Sequence, residues 1–289
     1  RPDLKAIWIT SNQDVFKELQ KKQYPVMMAD ESETHKIIKK AKYIFTATGI
    51  FDIGVENSRL IGGAFLINLW HGIPLKKIMY DDKHSALHNR SKLVTLVEKI
   101  PLRNYFVIST STAITQIYQS AFRVKKSHIL ELGQPRNDYF YDKSYPASSL
   151  IQELKSKNII LYMPTHRNEG KKQINLDNLM DLNRLNKWCE ETNSIFVIKK
   201  HFYHSKEKTL EKEYSSIIDV TNEKVDAQEL LKYSKILITD YSSCYIDYLL
   251  LNRPIIFFNY DYDDYLRMDR SLYFPYEKVT PGEKCQNFD

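Results

Sequence analysis

One turn in this chain combines residues that could bind a phosphate. Residues 236–238 are Ile, Leu and Ile, which predicts a short buried strand, and Ser242 and Ser243 follow where a helix would begin. Hydroxyls and unpaired N–H groups at such a turn can bind an anion. The alternative is that Ser242 only caps the helix, a common use of serine.

Two acids flank this turn and suggest different uses. Asp247 lies about one helical turn beyond the serines, where a carboxylate could accept hydrogen bonds from ribose hydroxyls. Asp240 precedes the serines. We expect Asp247 to contact the ligand and Asp240 to support the loop.

A histidine stands at the end of another apolar run. Residues 64–69 predict a strand, and Gly72 and Pro74 fix the turn that presents His71. Because imidazole titrates near neutral pH, His71 could accept the proton of an attacking hydroxyl. The alternative is a histidine that is hydrogen-bonded inside the loop and purely structural.

Two further cationic or basic side chains follow predicted strands. Arg167 comes after Pro164 and Thr165, and its planar guanidinium suits a diphosphate, with a surface ion pair as the alternative. His201 could donate a hydrogen bond to a phosphate, or it could be an ordinary surface histidine.

No metal site is predicted from the spacing of possible ligands. The pair His201 and His204, and the pair His84 and His88, have no cysteine or carboxylate at the spacing of a zinc site. We therefore expect no cofactor, and leave a loosely held Mg²⁺ open.

Four segments together resemble the CDP-glycerol glycerophosphotransferase family, which includes the teichoic-acid and capsule polymerases and primases. They read WHGIPLK at residues 70–76, GQPRND at 133–138, PTHR at 164–167 and ITDYSS at 238–243. The resemblance implies transfer of glycerol phosphate or ribitol phosphate from a CDP-linked donor to a hydroxyl of a teichoic-acid-like or capsular polymer, with release of CMP.

The resemblance also implies roles for particular residues. The catalytic residues would be His71 and His201. The donor-binding residues would be Thr165, Arg167, Thr239, Asp240, Ser242, Ser243 and Asp247. The residues of the cleft and acceptor side would be Gly72, Lys76, Asn137 and Asp138, although Asn and Asp beside Gly and Pro are usually turn formers.

Alternating apolar runs and amphipathic segments predict an α/β fold with parallel sheets. The predicted strands include residues 26–28, 105–109, 236–239 and 255–258, and the predicted helices include residues 91–99 and 176–192. The polar stretch 141–148 is the best linker, so we expect two doubly wound Rossmann-like domains that face a central cleft, a GT-B-like architecture. Residues 1–145 would form the acceptor-side domain and residues 146–289 the CDP-donor-binding domain.

Composition limits the location and the partners. The 289 residues contain no apolar run of about 18, so no membrane-spanning helix is predicted. Three separated cysteines fit a reducing compartment. The net charge is +6, but Lys and Arg are interleaved with Asp and Glu along the sequence, which argues against binding of nucleic acid. We expect a cytoplasmic protein whose full-length form contacts the inner face of the membrane, where a lipid-linked or oligomeric acceptor would lie.

Two other functions stay open from sequence. The first is a sugar-nucleotide glycosyltransferase or epimerase, since the same two-domain architecture supports those reactions. The second is a non-catalytic nucleotide-binding module.

Overall fold

The chain forms two compact units in a computed structural model. The structure describes residues 4–53, 60–61, 63–85, 87–89, 104–167, 175–200, 210–268 and 271–289. Unit one comprises Arg1–His71 and Asn89–Gly133, and unit two comprises Gly72–His88 and Gln134–Asp289. This division differs from the predicted one at residue 145. The reason is that Leu75 and Phe140 are buried in the core of unit two.

The β-strands are short and parallel. They are β1 (Trp8–Thr10), β2 (Val26–Met28), β3 (Tyr43–Thr46), β4 (Phe65–Asn68), β5 (Tyr105–Ser109), β6 (Ile129–Glu131), β7 (Asn158–Met163), β8 (Ser194–Ile198), β9 (Ile217–Asp219), β10 (Ile236–Thr239), β11 (Ile255–Phe258) and β12 (Glu283–Cys285). The predicted strands 26–28, 105–109, 236–239 and 255–258 are confirmed with the same bounds. Sequence reasoning missed β6, β9 and β12, which have three residues each.

The described α-helices are α1 (Gln13–Lys21), α2 (Ser32–Lys40), α3 (Thr112–Ala121), α4 (Ser149–Leu154), α5 (Leu182–Glu191), α6 (Ala227–Tyr233), α7 (Cys244–Tyr248), α8 (Tyr262–Met268) and α9 (Tyr276–Val279). None of these helices has the length and apolar character needed to cross a bilayer. The helix expected at residues 91–99 lies outside the described residues.

The helix predicted over residues 176–192 is shorter than expected. It begins at Leu182, because the Asp181 side chain caps it by accepting a hydrogen bond from the Arg184 N–H at 3.0 Å. Leu176 and Met180 are buried in the core from a turn before the helix, so their spacing imitated a helical face.

Unit two is built on a six-stranded parallel sheet with the order β12-β11-β10-β7-β8-β9. Side chains along β7 alternate between two buried clusters, with Leu161 in one and Tyr162 in the other, so apolar residues cover both faces. The chain runs outward in one direction from β7 and in the other from β10. The carboxyl ends of these two neighbouring strands form the topological switch point, where ligands bind in open α/β sheets.

Unit one contains a four-stranded parallel sheet, β3-β4-β5-β6, and the pair β1-β2. Leu66 and Val107 point to its buried face, where α3 contributes the fully buried Tyr118. Ser111 caps α3 by accepting from the Ile114 N–H at 3.4 Å. The opposite face carries Tyr43 and Phe65, which are exposed.

Candidate functional site

The switch point of unit two is held together by hydrogen bonds between the segments that follow β7 and β10. Thr239 Oγ1 donates to the Met163 carbonyl at 2.7 Å, and the Thr165 N–H donates to Asp240 Oδ1 at 2.8 Å. Thr239 and Asp240 are fully buried. Asp240 therefore supports the loop, as expected, and the Thr239 hydroxyl bridges two strands.

Arg167 lies in the same place, but its partners are protein groups. Its guanidinium donates to Asp240 Oδ2 at 2.8 Å, to Asp261 Oδ2 at 2.7 Å and Oδ1 at 3.0 Å, and to the Thr165 carbonyl at 2.6 Å. Only 4% of Arg167 is exposed. The structure thus shows this side chain bracing the loop through protein partners, and the diphosphate contact that the sequence suggested stays a prediction.

Tyrosine rings surround this guanidinium. Its central carbon lies 4.9, 5.1 and 5.5 Å from the ring centroids of Tyr241, Tyr265 and Tyr260. Burial raises the pKa of Tyr260 to about 12, so its phenol is neutral near pH 7. Burial alone would lower the pKa of Arg167, but the carboxylates of Asp240 and Asp261 raise it above its ordinary value.

A second polar network centres on Asp247. Its Oδ2 accepts from Arg136 Nη2 at 2.5 Å and its Oδ1 accepts from Asn137 Nδ2 at 3.0 Å. Gln228 Nε2 in turn donates to Asn137 Oδ1 at 2.8 Å. The expected ribose acceptor is therefore buried and bonded to the GQPRND segment, and Asn137, expected at the cleft, is one of its donors.

Three of the four motifs converge beside this network, in what we call the Gly72–Arg136–Ser243 cluster. A Cβ atom at Gly72 would lie 3.3 Å from Ser243 Oγ and 3.7 Å from Arg136 Nη2. The Arg136 side chain is 31% exposed. The cluster therefore brings a cation and a hydroxyl next to a residue without a side chain.

The two serines differ in use. Ser242 Oγ accepts from the Cys244 N–H at 3.4 Å, whereas Ser243 is the cap residue of α7 and makes no side-chain cap bond. Because α7 has only five residues, its dipole is a weak argument for anion binding. The Ser243 hydroxyl is the stronger part of the predicted phosphate turn.

His71 lies in unit one at the end of the segment after β4. Its ring packs against Trp70, tilted by 35° with 4.1 Å between centroids, and Nδ1 lies 3.4 Å from the Ala47 carbonyl. A carbonyl only accepts, so in this contact Nδ1 carries the proton and Nε2 keeps its lone pair. His71 is exposed, and Gly72 of the cluster is the next residue in the chain.

Backbone pairing fixes the rest of the WHGIPLK segment within unit two. The Lys77 N–H donates to the Ser271 carbonyl at 2.8 Å, and the Tyr273 N–H donates to the Leu75 carbonyl at 3.0 Å. Lys76, expected on the acceptor side, lies 5.8 Å above the Tyr265 ring. Asp138 is exposed, as a rim residue would be. His201 lies outside the described residues.

Arg136 is the residue that sequence reasoning missed. It stands within the GQPRND segment, in which the predicted site residues were the turn-forming Asn137 and Asp138. The signal was an arginine directly before two such residues, since a cation in a motif of turn residues needs a reason of its own. Among the described residues no cluster of three His, Cys, Asp or Glu side chains is arranged to hold a metal ion.

Comparison with known proteins gives a consistent result. The sequence pattern of the family described as CDP-Glycerol:Poly(glycerophosphate) glycerophosphotransferase matches residues 1–289. The chain is 35% identical over 229 residues to a teichoic acid poly(glycerol phosphate) polymerase of Bacillus spizizenii (strain ATCC 23059 / NRRL B-14472 / W23), a match that covers 75% of the chain and 57% of that relative.

A second relative carries a different polyol in its name. The chain is 28% identical over 264 residues to the teichoic acid ribitol-phosphate polymerase TarL of Staphylococcus aureus (strain NCTC 8325 / PS 47), covering 88% of the chain and 45% of TarL. The chain thus spans about half the length of the curated relatives it matches.

Solved structures of the wall teichoic acid polymerase TagF are similar to this fold. One matches with a TM-score of 0.73 and 27% identity, over 99% of this chain and 70% of that chain. A histidine-to-asparagine variant of TagF, solved after a 15 minute soak with CDPG, matches with a TM-score of 0.71 and 25% identity, over 98% of this chain and 75% of that chain. The likeness confirms the predicted GT-B-like fold.

Proposed function

The chain belongs to the CDP-Glycerol:Poly(glycerophosphate) glycerophosphotransferase family, and on this premise we propose that it carries the core that moves a polyol phosphate from a CDP-linked donor to a polymer hydroxyl. Glycerol phosphate and ribitol phosphate are both candidates, because the relatives' names include each. The acceptor would be a teichoic-acid-like or capsular polymer, oligomeric or lipid-linked.

The observation that carries this proposal is the Gly72–Arg136–Ser243 cluster. Three segments far apart in sequence place a guanidinium, a hydroxyl and a bare backbone together in unit two. A guanidinium binds phosphate oxygens through charged hydrogen bonds, and a glycine allows close approach to the backbone. We assign the diphosphate of the donor to this cluster, while Thr165, Arg167, Thr239 and Asp240 hold the loops that shape it.

The reaction would be a displacement at the β-phosphorus of the donor. The acceptor oxygen forms a new bond to this phosphorus, and the bond from phosphorus to the bridging oxygen breaks. CMP leaves with that electron pair, and the proton of the acceptor hydroxyl passes to a base. Arg136 and Ser243 stabilise the phosphate charge in the transition state.

His71 is our candidate for the base. In the neutral tautomer that donates to the Ala47 carbonyl, Nε2 is the basic nitrogen, and Trp70 packs against the ring and restricts its orientation. His201 would donate to the donor's phosphate or to leaving CMP. We propose that these side chains supply the positive field without a resident metal, and chelation with EDTA tests this directly.

We also propose that the full-length protein works in the cytoplasm at the inner face of the membrane. The charge of the two units supports this location. Unit one has 17 Lys and Arg against 10 Asp and Glu, whereas unit two has 25 against 26. The net positive charge therefore belongs to unit one, which would be drawn to anionic lipid headgroups.

The deciding experiment is a donor panel. The protein is incubated with CDP-glycerol, CDP-ribitol and UDP-sugars beside a lipid-linked acceptor, and CMP and UMP or UDP release is measured by chromatography. CMP release that requires acceptor and one CDP-polyol supports the proposal, and the preferred donor identifies the polyol. Turnover of UDP-sugars alone would identify a glycosyltransferase or epimerase instead.

A further inference from the structure

We propose that Asp247 is a positioning residue that orients the Arg136 guanidinium toward a phosphate of the nucleotide, and that it does not contact the ribose. This inference rests on the proposed function, since it concerns the same nucleotide site. It reassigns an acid whose spacing from the serines suggested a sugar contact.

Burial separates the two partners. The Asp247 side chain is 3% exposed, whereas 31% of the Arg136 side chain is exposed. A ligand in the cluster can therefore meet part of the Arg136 side chain, while the Asp247 carboxylate is almost closed to it. Asp247 affects such a ligand through Arg136.

Both oxygens of the carboxylate already accept hydrogen bonds. Oδ2 accepts from Arg136 at 2.5 Å and Oδ1 accepts from Asn137 at 3.0 Å. The amide of Asn137 is itself oriented, because Gln228 donates to its Oδ1 at 2.8 Å and so turns its Nδ2 toward Asp247. Gln228 is on α6, so a regular element of unit two fixes this chain of bonds.

The geometry at Gly72 explains why the direction of the guanidinium matters. Arg136 Nη2 would lie 3.7 Å from a Cβ at Gly72, and Ser243 Oγ only 3.3 Å from it. An arginine has many rotamers, and fixing one before the ligand arrives lowers the entropic cost of binding. A charged hydrogen bond to a buried acid is a strong way to fix it.

A purely electrostatic effect of Asp247 and a positioning role of Asp247 make opposite predictions for one substitution, Asp247→Asn. Removing a negative charge beside a phosphate site strengthens phosphate binding if only electrostatics matters. If Asp247 positions Arg136, the same change frees the guanidinium and weakens phosphate binding. The sign of the effect therefore distinguishes the two explanations.

The test measures affinities of the full chain for CDP, 2′-deoxy-CDP and cytidine by isothermal titration calorimetry. We expect Asp247→Asn to weaken CDP binding about tenfold, by the worth of one charged hydrogen bond. We expect cytidine affinity and the ratio of CDP to 2′-deoxy-CDP affinity to stay unchanged. Arg136→Gln should lose as much CDP affinity as Asp247→Asn does. The double variant should bind CDP no more weakly than Arg136→Gln alone.

Three results would overturn the inference. They are unchanged or tighter CDP binding by Asp247→Asn, an equal loss of cytidine affinity, and loss of the discrimination between CDP and 2′-deoxy-CDP. The last two would return Asp247 to the ribose. If the wild-type chain bound no CDP at all, the proposed function itself would fail, which is a distinguishable outcome.

Tyr141→Phe is the matched control for a merely structural role. Tyr141 Oη donates to the Leu250 carbonyl at 2.9 Å, so it joins the stretches of chain that directly follow the GQPRND segment and α7. We expect this variant to keep full CDP affinity. If Asp247→Asn does not fold, Gln228→Ala replaces it, with an expected loss of about threefold for CDP and none for cytidine; unchanged CDP affinity there would also contradict the proposal.

Discussion

Arg167 donates to Asp240 across 2.8 Å, and these two oppositely charged side chains are almost completely buried. The pair joins the loop after β7 to the loop after β10, at the centre of the six-stranded sheet. Asp261 adds two further bonds to the same guanidinium. Because removal of one partner leaves a buried charge uncompensated, this arrangement makes the loops of unit two depend on Arg167.

We predict that Arg167→Ala lowers the free energy of unfolding by about 3–5 kcal/mol, measured by urea denaturation. The control is Arg184→Ala, whose ion pair with Asp289 is exposed, and which should cost less than about 1 kcal/mol. Arg167→Lys should not restore stability, because a lysine cannot reproduce the forked bonds. A stable Arg167→Ala variant that only loses CDP affinity would favour the original diphosphate contact.

We predict that His71→Ala lowers the rate of CMP release about a hundredfold or more, because it removes the proposed general base. The affinity for CDP should remain nearly the same, since the base acts on the acceptor hydroxyl. Rates and affinities are measured by CMP release and calorimetry. A variant with near-normal turnover would remove His71 from the mechanism.

The sequence predicted the strands and motifs of this site but not their contacts. Apolar runs such as residues 236–238 predict strands, and the four motifs predict a nucleotide site. However, the partner of a charged side chain depends on tertiary packing. Arg167 and Asp247 both looked like ligand contacts, and the structure shows both in ion pairs that the sequence did not predict, with Asp240 and Asp261 beside Arg167 and Arg136 beside Asp247.

Arg136 shows the converse limit. Its place directly before Asn137 and Asp138 was a local signal, but the sequence does not show that it approaches Gly72, because the two residues are more than 60 positions apart. The short strands β6, β9 and β12 were missed for a similar reason. Three residues give too little periodicity, and pairing with a neighbouring strand defines them.

We predict weak, salt-sensitive binding to vesicles that contain anionic lipid. The positive charge of unit one includes the exposed Lys39, Lys40 and Lys42, and each lysine near a charged membrane is worth about 1 kcal/mol. Replacing these three by Glu should abolish sedimentation with vesicles, as should raised salt. The same replacement at three exposed lysines of unit two should change sedimentation with vesicles little. These lysines are Lys155, Lys187 and Lys224. Tight, salt-resistant binding would point to an apolar contact instead.

We predict that a buried thiol makes stability fall at alkaline pH. Burial raises the pKa of Cys189 from 9.0 to about 11, so the folded state favours the neutral thiol. This contribution is complete below pH 9 and is lost as the pH rises toward 11, because the unfolded chain ionises first. Urea unfolding at several pH values should show the difference between wild type and Cys189→Ala becoming smaller above pH 9. A constant difference would contradict this.

Finally, we predict that Gly72→Ala weakens CDP binding about three- to tenfold, a loss of roughly 1 kcal/mol, while the melting temperature changes little. The added methyl group would lie 3.3 Å from Ser243 Oγ and 3.7 Å from Arg136 Nη2, so it narrows the place assigned to the diphosphate. The matched control is Gly63→Ala, because a Cβ at Gly63 meets no atom within 4 Å. Calorimetry with CDP and a thermal melt of both variants check this. Equal affinities for the two variants would place the diphosphate away from Gly72, since only there does the methyl group meet the residues proposed to bind it.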